Sequence, residues 1–184
     1  MTKTQYLARS LNDVGLATWF GGSLMGAAGL NEAAAGEASN DQAAAVASAG
    51  WGRWTPINAA AIASQLTGAA LLTVGNKGRL AQQRGVATTS AVKLGLTAAA
   101  LVATGYARIL GKRVENGQDQ PAKDGVTPAP GTAPEVSKAQ RQLALLQWVI
   151  PALTGGMLIC DAVLGEQQRP TEVASGFFGR LVPS

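Results

Sequence analysis

The residues best suited to chemistry in this chain are three charged side chains at the edges of long apolar runs. Asp13, Lys93 and Asp161 each border uncharged sequence. If those runs form neighbouring antiparallel helices, the three side chains lie near one another at one end of the bundle. Acids held within a membrane often mark proton or cation paths. The alternatives are a purely structural ion pair or three separate helix caps in the headgroup region, and the sequence favours the caps.

Two amide side chains extend this set of polar candidates. Asn58 and Gln65 share one helical face with Gly68. Amides in an apolar helix normally turn inward and form hydrogen bonds with neighbouring helices. The predicted intramembrane polar cluster is therefore Asp13, Asn58, Gln65, Lys93 and Asp161.

The composition excludes most metal and nucleophile chemistry. The chain contains no His and a single Cys, Cys160. This removes histidine-ligated haem, zinc and copper, a histidine general base and an intrachain disulfide. Gly-rich phosphate loops, nucleophile elbows and dinucleotide fingerprints are also missing from the sequence. We predict no catalytic residue, no metal site and no cofactor, with Cys160 as an inert buried side chain.

Four apolar runs provide the elements that position these residues. The strongest, at 143–160, is nearly long enough to cross a bilayer core of ~30 Å as a helix. A Pro- and Gly-rich linker at 114–136 should be flexible. The predicted fold class is all-α, an integral membrane four-helix antiparallel bundle with a disordered loop between its third and fourth helices. The predicted spans are residues 14–31, 56–76, 93–112 and 143–164.

The boundaries of the first two spans depend on local signals. Thr55 and Pro56 suit an N-cap and a first helical residue, so the second span should begin there. The Ala-rich stretch 31–55 is then a connection, part of it a surface helix. The N-terminal segment also has features of a signal peptide, but Asp13 precedes its apolar run and Glu32 precedes the small residues at 33–35. We expect the segment to remain as the first span.

Small residues mark one face of that first span. Gly22 and Gly26 form a GxxxG pattern, which lets two helices approach closely in a membrane. The face predicts a helix-packing seam, with a substrate groove as the alternative. The full predicted seam is Gly15, Thr18, Gly22, Gly26 and Gly29.

Aromatic and basic residues predict how the bundle sits in the membrane. The aromatic side chains near the ends of the runs should anchor one interface. The loop at 77–93 carries four basic residues and no acidic one, which favours a cytoplasmic position for this loop and for both termini. The protein should therefore be a multi-pass protein of the cell membrane. The predicted anchors are Trp51, Trp54, Tyr106 and Trp148.

Composition and one short motif suggest a family resemblance. The Ala-, Gly- and Thr-rich composition is similar to that of actinobacterial membrane proteins. Trp19, Phe20, Gly21 and Gly22 resemble the Trp-x-Gly-Gly start of the TMEM205-like (DUF4149) family of small four-helix membrane proteins. The Pro that often follows the first span in that family is missing here. The resemblance implies a four-helix membrane fold and carries over no catalytic residue.

The sequence therefore predicts a non-catalytic membrane protein. Charged residues make up only 14% of the chain, against ~25% in ordinary soluble domains. An accessory, scaffold or assembly subunit is the leading interpretation, with the lipid bilayer, other membrane subunits or a second copy as partners. Nucleic acid is not expected, because the basic residues flank apolar runs. The alternative is a small transporter, channel or lipid-binding membrane protein, and a membrane enzyme ranks third.

Overall fold

Helices make up nearly all of the structure, a computed structural model that describes residues 3–37, 39–75, 84–116 and 122–167. Helix α1 (Lys3–Met25) continues through a π-helical turn (Gly26–Leu30) into the short helix α2 (Asn31–Ala34). Alanine-rich sequence favours this state because alanine loses no side-chain entropy in a helix. The predicted all-α bundle is confirmed. The long helices that follow are α3 (Asn40–Gly75), α4 (Arg84–Asn116) and α5 (Pro134–Glu166).

The long helices pack in the order α3, α1, α5, α4. Helix α1 runs antiparallel to α3, with Gly15 against Gln65 and Gly26 against Trp51. Helix α5 packs along α4 and also contacts α1, whereas α3 and α4 scarcely touch each other. The bundle is therefore partly open between α3 and α4, and two cavities lie along this side.

The core lies where α1, α4 and α5 meet. Trp19 is fully buried there, in space left by the small side chains of Ala100 and Ala103. Ile150 and Met157 of α5 complete the cluster. In a membrane such packing stabilises the bundle through dispersion contacts rather than through the exclusion of water.

Three helices, α3, α4 and α5, are long and apolar enough to cross a membrane. Their apolar side chains face outward, with Leu94 71% exposed, Val102 73% and Ile159 67%. The side chains of Gln65 and Gln140 are fully buried instead. This arrangement reverses the one in soluble proteins and suits a helix surface that meets lipid.

Helix α1 differs from the predicted first span at 14–31. Within the described residues, only the other three long helices are apolar enough to count as candidate spans. Glycine and the buried polar residues Asn12 and Ser23 lower the hydropathy of α1. Its polar side chains are tolerated because α3 and α5 cover them on both sides.

Helix α3 begins at Asn40, well before the predicted start at Thr55 and Pro56. The Thr55 hydroxyl donates to the carbonyl of Trp51 one turn earlier, so Thr55 lies inside the helix and is not its N-cap. Pro56 has no N–H and cannot bond to the carbonyl of Gly52, yet the helix continues through it. The alanine-rich stretch before Trp51 is itself helical, which the local N-cap signal concealed.

The predicted flexible linker at 114–136 is partly packed against the bundle where the structure describes it. Its ends belong to α4 and α5, and residues 122–133 form a packed segment in which Ala122, Val126 and Ala129 are buried. The Asp124 carboxylate accepts hydrogen bonds of 2.7 Å from the backbone N–H groups of Val126 and Thr127. Small side chains and one capping carboxylate thus replace the larger apolar surface that ordered loops usually need. Residues 117–121 lie outside the described part.

Replacing Asp124 by alanine should loosen this segment. Both amides lose an ionised acceptor, a loss of ~1–2 kcal/mol in local stability. We expect hydrogen exchange at Val126 and Thr127 to speed up by roughly tenfold. The control is Asp124→Asn, which keeps one side-chain oxygen and should give an intermediate rate. Equal exchange rates in the wild type and in Asp124→Ala would show that the turn does not depend on the carboxylate.

Candidate functional sites

A polar cluster joins α1, α4 and α5 at one end of the bundle. The Lys93 ammonium lies 2.5 Å from Oδ1 of Asp161 and also donates to Oδ1 of Asn12 at 2.9 Å. Asn12 in turn donates from Nδ2 to Asp161 at 2.9 Å and to Asp13 at 2.8 Å. Asn12 is fully buried and stands at the centre of the cluster. The structure thus brings together Asp13, Lys93 and Asp161, with Asp13 joined to the other two through Asn12.

Asn12 is the member that sequence reasoning missed. It lies on the same buried face of α1 as Ala8, Leu16 and Trp19, so helical periodicity carried the signal. A polar residue on an otherwise buried face needs a partner. The sequence signal lay in the buried face that carries Asn12, since the neighbouring charged residue, Asp13, is exposed.

The cluster is satisfied from within. Both side-chain atoms of Asn12 have partners, and Lys93 and Asp161 neutralise each other. Buried charges paired and hydrogen-bonded in this way fasten helices together and leave no orphaned group for a ligand. A cavity of about 570 Å³ lies beside the cluster, and three of its charged lining residues, Asp13, Lys93 and Asp161, belong to these same interactions, while the fourth is Arg9. The geometry therefore favours a structural role for the cluster.

Asn58 and Gln65 lie apart from this cluster. Gln65 is fully buried where α1 crosses α3, next to Gly15. Asn58 lines a different cavity, near the opposite end of the bundle. Neither the Gln65 amide nor Oδ1 of Asn58 forms a hydrogen bond with the cluster, so a joint polar path through all five residues stays a prediction.

Only part of the predicted glycine seam is a contact between helices. A Cβ on Gly15 would lie 2.5 Å from the carbonyl oxygen of Ala61, so two backbones meet there. The rings of Trp54 and Trp51 fill the space above Gly22 and Gly26. Of the other two predicted members, Gly29 is exposed, and the half-buried Thr18 donates its hydroxyl to the carbonyl of Val14 in its own helix.

The π-helical turn explains the loss of Gly29 from the seam. One extra residue in a turn rotates everything after it by roughly 100° around the helix axis. Leu30 takes the inward position and reaches Gly50, where a Cβ would lie 2.6 Å from its Cδ2 atom. An ideal α-helical pattern cannot reveal such a turn.

The predicted aromatic anchors divide into two pairs. Tyr106 and Trp148 are 40% and 50% exposed, and the Tyr106 hydroxyl lies 3.1 Å from Oε1 of Gln142. Trp51 and Trp54 instead pack into the bundle against glycine, and Trp51 donates from Nε1 to Oδ1 of Asn31 at 3.0 Å. The two indoles are therefore part of the interior of this end of the bundle.

A cavity of about 410 Å³ lies beside these two indoles. Helices α3, α4 and α5 and the packed 122–133 segment contribute its walls. Its inner part is apolar, with Ile62, Leu101 and Ile150, and its outer part is polar, with Gln140 and Gln147. Volume and lining are those of a small-molecule site. We call it the indole cavity.

Several polar atoms around the indole cavity have no hydrogen-bond partner among the described residues. Gln140 is fully buried, and neither its Nε2 nor its Oε1 is paired. Nε1 of Trp54, Oδ1 of Asn58 and Oγ1 of Thr104 are also unpaired. Such an atom costs ~1–3 kcal/mol when buried alone. Gln65 and Trp19, away from this cavity, also have unpaired buried atoms, but one bound molecule could satisfy the five atoms around the indole cavity together.

The charges and hydrogen bonds at the mouth of this cavity are already matched. Arg108 and Glu115 are its only ionisable lining residues within the described chain, and they pair at 2.9 Å. Asn31 donates to Oε1 of Gln147 at 2.6 Å while accepting from Trp51, which ties α2 to α5 and α3. The frame of the cavity is fixed, and its unpaired atoms are neutral.

Comparison of the chain with protein-family models, with curated proteins and with solved structures finds no match. Within the described residues, no three His, Cys, Asp or Glu side chains gather as a metal site would require. Function must therefore be argued from the fold and from the two sites described above.

Proposed function

We propose that this chain is a non-catalytic membrane protein that holds a small amphipathic molecule in the indole cavity. One observation carries the proposal: neutral hydrogen-bonding atoms without partners surround a cavity whose inner wall is apolar. A molecule with a polar end and an apolar body would satisfy both parts.

The arrangement of the helices supports an entry route from the bilayer. Helices α3 and α4 scarcely touch, and both line the cavity. An amphipathic molecule would therefore reach the site sideways between two helices that are apolar enough to span a membrane. A water-filled path along the bundle axis is less favoured, because Trp19 and its neighbours fill the centre.

An accessory or scaffold subunit is the second candidate. Helix α4 carries Leu94, Val102 and Ile109 on its exposed surface, and an added Cβ on Gly95 would meet no other atom within 4 Å. Another membrane helix packs well on such an apolar face with small residues. This candidate needs no ligand and leaves the unpaired atoms of the indole cavity without an explanation.

Native mass spectrometry after extraction in mild detergent separates the two candidates. We expect a monomer mass increased by one small molecule of a few hundred daltons. Gly105→Leu should lower this occupancy at least fivefold, because Gly105 lines the cavity and its Cβ position is open. Gly95→Leu is the matched control, since Gly95 lies on α4 outside both cavities. Stoichiometric partner subunits without a bound small molecule would favour the scaffold instead.

A further inference from the structure

The chemical character of the unpaired atoms restricts what the indole cavity binds. Donors and acceptors are both present: Nε1 of Trp54 can only donate, Oδ1 of Asn58 can only accept, and the Gln140 amide does both. A ligand that matches them has at least one carbonyl-type acceptor and at least one hydroxyl-type donor. A purely apolar molecule leaves all of these atoms unpaired.

Within the described residues, the cavity offers no unpaired charge to a charged head group. Arg108 and Glu115 neutralise each other, so an anionic or cationic ligand would be left unpaired or would have to break their bond. No third ionisable side chain within the described residues lines this cavity. A neutral polar group with several hydrogen bonds has no such penalty.

The order of residues along the helices gives the orientation of the ligand. Ile62, Leu101 and Ile150 lie towards the centre of the bundle, and Gln140 lies a few turns further out along α5. Asn58 and Thr104 stand between these two levels. The polar end therefore lies near Gln140 and the apolar chain points inward or out through the gap between α3 and α4.

We infer that the indole cavity is a binding site for an uncharged lipid whose head bears carbonyl and hydroxyl groups, with Gln140 as its main recognition residue. This inference rests on the proposed function. The atoms concerned are shielded from solvent, so a head group reaches them only when the Gln140 and Asn58 side chains rotate towards the cavity.

Three probes with one acyl chain and different heads test the inference. They are the 9,10-dibromostearoyl monoglyceride, dibromostearate and dibromostearylamine, which are neutral, anionic and cationic. Bromine quenches indole fluorescence on contact, and Trp51 and Trp54 line the cavity. We expect the monoglyceride to bind the full-length protein in detergent at least tenfold more tightly than either charged probe.

Two variants test whether Gln140 is responsible for the preference for the neutral probe. Gln140→Leu should weaken monoglyceride binding about tenfold and remove the preference over the charged probes. It should also raise the unfolding midpoint, because an unpaired buried amide is replaced by an apolar side chain of similar size. A purely structural glutamine would not couple these two changes. Gln142→Leu is the control, since Gln142 lies on the same helix outside the indole cavity.

The outcomes separate this inference from the proposed function. Equal binding of all three probes overturns the neutral-lipid inference and leaves an amphipath-binding cavity standing. Failure of every probe to quench overturns both, and ordered water is then the partner of the unpaired atoms. A monoglyceride preference that survives Gln140→Leu overturns the role given to Gln140.

Discussion

Lys93→Met should lower the free energy of unfolding by about 3 kcal/mol. Removal of one member of a buried ion pair typically costs ~3–5 kcal/mol, because the other charge stays behind without a partner. The lower end applies here, since the Asp161 side chain keeps 20% of its surface exposed. The substitution also removes the hydrogen bond from Lys93 to Asn12, which weakens the link between α1 and α4. Chemical unfolding in mixed detergent micelles measures the change.

A double-mutant cycle shows which acidic residue is energetically coupled to Lys93. Lys93 contacts Asp161 directly, whereas it reaches Asp13 only through Asn12. We expect a coupling energy of about 2 kcal/mol with Asp161 and less than about 0.5 kcal/mol with Asp13. Ordinary interhelical hydrogen bonds in membrane proteins average ~0.6 kcal/mol. The larger coupling energy expected with Asp161 would therefore identify a charge pair.

Lys138→Met provides the matched control for this cycle. Lys138 is exposed on α5, and the same substitution there should change stability by no more than ~0.5 kcal/mol. Zero coupling between Lys93 and both acids would contradict the ion pair. The charges would then be independent caps at helix ends, the interpretation that the sequence alone favours.

Charge and hydropathy predicted which charged residues lie together, although each long helix begins well before its predicted span. Asp13, Lys93 and Asp161 meet because uncharged runs of similar length place their flanking charges at the same level in antiparallel helices. The same reasoning does not locate Asn58 and Gln65, since a shared helix face says nothing about depth. Their heights depend on the register of α3 against α1, which is set where Gly15 meets Ala61 and Gln65.

The indole cavity could not be predicted from the sequence. It exists because Trp51 and Trp54 pack on Gly26 and Gly22 and because α3 and α4 stay apart. Both facts depend on helix order, and four connected helices allow several orders. Gln140 also lay outside the predicted fourth span at 143–164, although α5 begins at Pro134. The two sites also differ in kind, because the polar cluster is held by paired side chains and several atoms around the indole cavity are unpaired.

Gly15→Ala should cost about 2–3 kcal/mol even though a single methyl group is added. The new Cβ would lie 2.5 Å from the carbonyl oxygen of Ala61 and 2.6 Å from the backbone nitrogen of Gln65. Backbone atoms of a helix cannot rotate away, so α1 and α3 have to separate, and overpacking of this kind costs ~1–3 kcal/mol. Gly68→Ala should behave alike, since its Cβ would lie 2.5 Å from the carbonyl oxygen of Ala8.

Gly21→Ala is the control that makes this prediction specific. Gly21 lies on the same helix, and its added Cβ would meet no other atom within 4 Å. Alanine there should stabilise the protein by up to ~1 kcal/mol, because it loses less backbone entropy than glycine in a helix. The two variants of α1 should therefore differ by about 2–4 kcal/mol in unfolding free energy, with opposite signs relative to the wild type. A stabilising Gly15→Ala would mean that α1 and α3 do not cross at this point, and the order of helices that leaves the α3–α4 side open would be wrong as well.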